Sequence, residues 1–217
     1  MNTGGFEVVA QPTTYSEKRI KSLPDVQQIV RECQVALRGW YFPHIQRDTA
    51  TSFAQGFQSV TGGRLHVERF RLYQSGLFAW RGMYWEDSPD SPKLKNGRAG
   101  LSFIGAIWSF TEFFIFLSRL YERIAPDTTV RARVTMTGCR GRQLAAYDPM
   151  VDFFVGEYIS EEDVISQERE VQVVELRASH LPMAVEMVKH VFHVFNWMDP
   201  DDSMVATWQQ KLVKRQY

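Results

Sequence analysis

Glu186, His190 and His193 are the side chains that most resemble metal ligands, because positions i, i+4 and i+7 bring them to one side of a helix. Structural zinc requires four such ligands, and catalytic zinc three plus a water. The sequence has no HExxH, and the other histidines are scattered, so neither a metal site nor a cofactor is expected. The two cysteines, Cys33 and Cys139, form no CxxC and lie too far apart in sequence to suggest a disulfide framework. Cys139 adjoins Arg140, the kind of neighbour that depresses a thiol pKa, but no base is identifiable beside it. GxSxG, Walker A, GxGxxG and kinase-type motifs are all absent. No catalytic constellation can be read from the residues.

Arginines offer a different chemistry. Arg131, Arg133, Arg140 and Arg142 occur with no acidic residue between Thr128 and Tyr147. Arg69, Arg71 and Arg81 are interleaved with Tyr73, Trp80 and Tyr84. Basic and aromatic side chains mixed on a sheet face suit single-stranded nucleic acid or a phosphate-rich ligand. Charge on exposed strands also discourages aggregation, and Glu68, Glu86 or the acidic stretch 157–175 could neutralise it internally. Lys+Arg and Asp+Glu each total 25, so no global field recruits a polyanion, and any such contact must be local. Arg131, Arg133, Arg140 and Arg142 form the candidate nucleic-acid patch. A second group, Arg38, His44, Arg69, Tyr73 and Glu112, forms a candidate ligand pocket if the RGWYFPH and RLYQSG segments converge.

These residues need elements to position them. Ser102–Ile124 is apolar almost all round for four turns, as expected of a helix buried on most of its circumference. Glu112 in its middle argues against a membrane span. That carboxylate either lies buried against a basic partner, with Arg38 or His44 nearest to hand, or sits on the helix's one wet edge. Phe110, Phe113, Phe114 and Leu117 are predicted to be core residues. Ser22 caps a helix carrying Pro24 and Asp25 in its first turn, with Val26, Ile29, Val30, Cys33 and Leu37 on its apolar face. Pro43 forces Leu37–Ile45 into an extended or turning segment, in which Trp40 is expected to be the core anchor.

Strand patterns surround the central helix. Residues 66–86 read as a hairpin turning at Ser75-Gly76. Residues 129–137 alternate with Val130, Ala132, Val134 and Met136 inward, and GCRGR is expected to return the chain through residues 143–147 as a second hairpin. Residues 151–159 and 168–176 are further strand candidates, and a helix is expected from Pro182 through Phe195 with Leu181, Val185, Val188, Phe192 and Phe195 as its stripe. Residues 1–20 are read as an arm or edge strand, and 198–217 as a C-terminal extension ending in a short helix. At 217 residues this makes one α+β domain, an antiparallel sheet built from hairpins around a central apolar helix with flanking helices. The N-terminus shows no signal peptide, so a cytoplasmic protein without membrane attachment is expected.

VALRGWYFPHI, ERFRLYQSGLF, SFTEFF, GCRGR and a YDP tripeptide, in this order, resemble a bacterial domain from the C-terminal part of multidomain proteins whose N-terminal module is Schlafen-type and AlbA-like. The resemblance spans about residues 25–197. It implies an accessory or sensing role, in defence or another DNA-associated system, beside another protein or a separate catalytic subunit. Tyr41 stands where that pattern carries an acidic residue after RGW, and the AlbA-like module is not among these residues, so its activities do not transfer. A non-catalytic binding or interaction module is therefore the first expectation. An enzyme or a nucleotide-responsive domain using the Arg38–Glu112 pocket is the second.

Overall fold

The computed structural model describes residues 4–63, 66–147 and 157–216. Alternating apolar residues build most of one antiparallel sheet. Its strands are β1 (Gly5–Pro12), β4 (Thr51–Phe53), β5 (Gly56–Gly62), β6 (Val67–Tyr73), β7 (Phe78–Met83), β9 (Thr129–Thr137) and β11 (Val164–Gln172). They are ordered β11-β9-β1-β7-β6-β5-β4. One face carries Phe6, Val8, Ala10, Phe57, Phe70, Leu72, Phe78, Trp80, Val130, Ala132, Val134 and Met136, all buried. The other face carries Arg69, Arg71, Arg81, Arg131 and Arg133, all exposed. This period of two is the reason the chain forms strands here. Gly76, at positive φ, makes the β6–β7 turn where the sequence placed it.

Helix α2 (Phe103–Ile124) covers the inner face, and its N-cap Ser102 accepts a hydrogen bond from Gly105 N. Phe110, Phe113, Phe114 and Leu117 are buried as expected. Phe113 packs on Phe6 and Trp80, and Phe116 on Phe78, with ring centroids 4.7–5.8 Å apart. Although α2 is long and apolar enough to cross a bilayer, it is mostly enclosed by protein. Helices α1 (Leu23–Cys33), α3 (Val173–Val194) and α4 (Asp202–Val213) flank it. Ser22 caps α1 through Asp25 N, and Val26, Ile29, Val30 and Cys33 form its buried face.

Several local expectations are corrected. β1 is neither an arm nor an edge strand: it pairs with β7 on one side and β9 on the other, deep in the sheet. The segment after GCRGR does not return against β9. Instead β10 (Gln143–Ala145) runs parallel to β8 (Gly100–Ser102), because Gly138 and Gly141 at positive φ turn the chain away. The strand expected at 168–176 begins earlier and stops at Gln172, where α3 starts with Val173 N donating to Thr128 O. Pro182 lies inside α3, and the chain leaves helical geometry at Ser179, as a proline three residues ahead requires. Of the predicted α3 stripe, Val188, Phe192 and Phe195 are buried, whereas Leu181 and Val185 are only half-buried and Met183, Ala184, Met187 and Val191 join the buried face. The C-terminal segment packs on α2 through α4. Residues 151–156 of the expected 151–159 strand lie outside the described residues, and Ile159 makes a single bridge to Gln143.

Candidate functional site

A cleft of about 900 Å³ opens between the inner sheet face, the first half of α2, and α4. This is within the range of small-molecule sites, roughly 300–1,000 Å³. Phe6, Trp80 and Gly82 come to it from β1 and β7, Phe42 from β3 (Tyr41–Phe42), and Ser109 and Phe113 from α2. Trp40, Trp85, Trp108 and Trp208 complete an aromatic wall. Gly82 has a specific part, because a Cβ there would stand 2.5 Å from the Trp80 ring, so its absence lets the indole lie flat along the strand. Trp108 Nε1 donates to Trp208 O at 3.1 Å and ties α4 over α2.

Arg38 is the polar centre of one wall, and Glu112 lies buried behind it. Arg38 Nε and Nη2 donate to Glu112 Oε2 at 3.0 and 2.5 Å, and Nη2 lies 3.4 Å from Ser109 Oγ. The Glu112 side chain is fully buried, so burial raises its pKa while the Arg38 charge opposes the shift. Of the two readings of Glu112, the buried one with a basic partner holds. Its Oε1 has no hydrogen-bond partner among the described residues, and neither does the buried Trp80 Nε1. Arg38 stacks 5.1 Å over Trp40, which in turn lies 5.6 Å from the His66 ring. His66 Nε2 is 2.8 Å from Glu68 Oε2, and His44 N donates to Glu68 Oε1 at 2.5 Å.

A second polar cluster surrounds Glu86, in a 3-10 turn at Trp85–Asp87. Its carboxylate accepts from Ser102 N at 2.6 Å, at the start of α2. Burial pushes its pKa up to about 7, against the lowering effects of that hydrogen bond and of Arg142. Tyr147 packs on Trp85 with centroids 5.0 Å apart, and burial raises its pKa to about 12. A carboxyl near neutrality inside an apolar cleft can accept or donate a hydrogen bond with little change of pH.

Among the residues the sequence proposed for a pocket, Arg38 and Glu112 meet. His44 contributes its backbone N–H to Glu68 rather than its ring to the cleft. Arg69 and Tyr73 sit outside, on the opposite face of β6, since a strand's odd and even positions point apart. Trp40 does not anchor its segment: it is 42% exposed, whereas Phe42 is buried against Trp80, Phe113 and Phe116. Glu68 was expected only as a carboxylate that could neutralise the arginines, though a sharper signal was available: it keeps register with Phe70 and Leu72, so it occupies an inward position. Glu86 was expected only as a partner for the arginines, and the C-terminal helix expected in 198–217 is α4, but no local signal placed either at the cleft.

The arginine patch is dispersed. Arg131 pairs with Glu170 at 2.5 Å across the β9–β11 ladder. Glu168 stands opposite Arg133. Arg140 is exposed on its turn. Arg142 is no surface residue, because its side chain is 4% exposed and pairs with Asp87 at 2.9 Å. It also donates to Gly100 O and Gly138 O and lies 4.7 Å over the Tyr84 ring. Cys139 beside it is buried, and burial raises its thiol pKa, the opposite of an activated cysteine. Cys33 is likewise a core thiol, raised to about 11 by burial. Glu186 pairs with Arg169, and among the described residues no three His, Cys, Asp or Glu side chains gather as metal ligands.

Compared with family models, curated proteins and solved structures, the chain finds no match.

Proposed function

We propose that this protein is a ligand-binding module whose cleft takes a flat, largely apolar molecule of aromatic or fused-ring type, held for sensing rather than turnover. The observation that carries the reading is the cleft itself, about 900 Å³ in volume and bordered by Trp40, Trp80, Trp85, Trp108 and Trp208. Indoles offer rigid apolar surface at small conformational cost, and planar ligands stack on them. The polar lining is sparse: Arg38 is paired with Glu112 behind it, His66 with Glu68, and Lys211 lies 4.0 Å over the Trp208 ring, while the Glu86 pKa is raised to about 7. A lining so largely apolar favours a ligand presenting one or two hydrogen-bonding groups over a highly charged nucleotide.

The role beside another protein implied by the Schlafen-associated resemblance fits such a sensor, with the ligand signal passed to a separate effector. A reducing cytoplasmic setting suits Cys33 and Cys139, both free and buried. A thermal-shift screen of planar aromatic compounds tests the proposal. A ligand at a hundred times its Kd stabilises the fold by about 2.7 kcal/mol, and Trp208→Ala should diminish that gain. A screen in which only sugars or nucleotides bind would contradict it. Chemical alteration of a bound compound would instead support the enzyme reading, with Glu86 as its proton-transfer group.

A further inference from the structure

The outer face of the sheet carries a second feature, independent of the cleft. Arg69 on β6 and Arg81 on β7 are direct cross-strand partners, and Arg71 follows Arg69 on the same face. Like charges placed directly opposite on a sheet are destabilising. Neither Arg69 nor Arg81 makes an ion pair or side-chain hydrogen bond among the described residues, and both are exposed. Glu7, opposite Arg81 on β1, is the one carboxylate in that cross-strand row. The far half of the face differs, since Glu168 and Glu170 stand opposite Arg133 and Arg131. Positive charge is therefore concentrated over β6 and β7, beside the uncharged β5.

An aromatic pair adjoins it. Phe53 and Tyr73 share the register row through Gly56, with ring centroids 5.2 Å apart, and both are half-buried. A Cβ on Gly56 would meet Phe53 at 2.9 Å, so the glycine lets that ring lie across the strand. Arg71 reaches 5.7 Å over the same ring. We propose that this outer face binds single-stranded nucleic acid, with Arg69, Arg71 and Arg81 on the phosphates and the Phe53–Tyr73 pair as a stacking surface. Guanidinium groups supply the backbone contacts, and an aromatic face accepts bases with little sequence preference. An acidic protein would use the arginines but would have no comparable use for the ring pair beside them.

Fluorescence anisotropy with a labelled oligo(dT) tests this. The wild-type protein should bind at low salt with a log–log slope of about −0.7 per phosphate contacted, hence near −2 if three arginines engage. Arg69→Gln/Arg81→Gln should weaken binding roughly tenfold or more at low salt, with a smaller slope. Because the substitution removes two like charges that stand directly opposite, its unfolding midpoint should equal or exceed that of the wild type, so lost binding cannot be lost folding. Arg98→Gln/Arg140→Gln, which removes the same net charge outside the β5–β7 face, should bind like the wild type. Absence of saturable binding, equal loss in both double variants, or competition by polyglutamate as effective as by unlabelled oligo(dT) would overturn the proposal.

Discussion

Replacing Arg142 with alanine should be among the most damaging changes away from the apolar core. The guanidinium bridges three segments: Asp87 in the 3-10 turn, Gly100 at the start of β8 and Gly138 at the end of β9. Asp87 in turn accepts from Gly4 N at 2.8 Å, which ties in the beginning of β1. Breaking a buried pair by removing one partner costs about 3–5 kcal/mol, because the other charge is left uncompensated. Asp87 is 14% exposed and regains some solvation, which favours the lower end. The orphaned carbonyls of Gly100 and Gly138 act in the other direction, and these contributions do not add simply. A loss of about 3 kcal/mol is a large part of the ~5–15 kcal/mol that holds a domain together. Urea unfolding followed by tryptophan fluorescence would register it as a midpoint lowered by roughly 1–3 M. Arg142→Lys should recover only part, since an ammonium cannot reproduce the forked contacts. Arg131→Ala, which removes an exposed pair, should leave the midpoint unmoved. The reasoning fails if Arg142→Ala unfolds at the wild-type urea concentration.

Glu86 should make stability depend on pH. Its folded-state pKa, about 7, lies above the ordinary 4.5, so the folded protein holds the proton more tightly than the unfolded chain. This group's contribution is therefore favourable below pH 4.5 and is lost as pH rises through 7. Glu86→Gln is neutral and can still accept from Ser102 N, so between pH 5 and 8 it should gain roughly 2 kcal/mol relative to the wild type. Parallel stability–pH curves for the two proteins would contradict this. In the segment crossing the cleft, Phe42→Ala should cost about 3–5 kcal/mol, whereas Trp40→Ala should cost well under half as much. Equal losses measured by urea unfolding would return the anchoring role to Trp40. Phe114→Ala should resemble Phe42→Ala, as a fully buried ring in α2.

Features governed by nearby residues were legible in the sequence. The Ser22 and Ser102 caps, the burial of α2, the β6–β7 turn and the alternation of β9 each depend on residues within a few positions. The Arg38–Glu112 pair was legible for another reason, since a carboxylate in the apolar part of α2 demands a partner and few cations were suitable. Strand partners distant in sequence, such as β1 with β7 and β9, were not legible. β1 alternates in the same way whether it lies at an edge or between β7 and β9, so periodicity could not place it. Arg142 looked like a member of an exposed series because its local pattern matches Arg131, and only the turn through Gly138 and Gly141 buries it. The cleft draws on β1, β3, β7, α2 and α4, and no window of sequence contains it.

The central claim can be tested through the indole N–H groups. The chain has six tryptophans. Trp40, Trp80, Trp85, Trp108 and Trp208 border the cleft, whereas Trp197 packs instead on Phe103, Tyr158 and Phe192. In protein labelled with ¹⁵N at tryptophan, titration with a planar compound from the thermal-shift screen should move cleft indole signals in a saturable way. The Trp197 signal should stay in place, and Trp208→Ala should weaken the apparent affinity. Saturable binding that shifts Trp197 alone, or leaves all six signals unmoved, would place the ligand elsewhere and contradict the account.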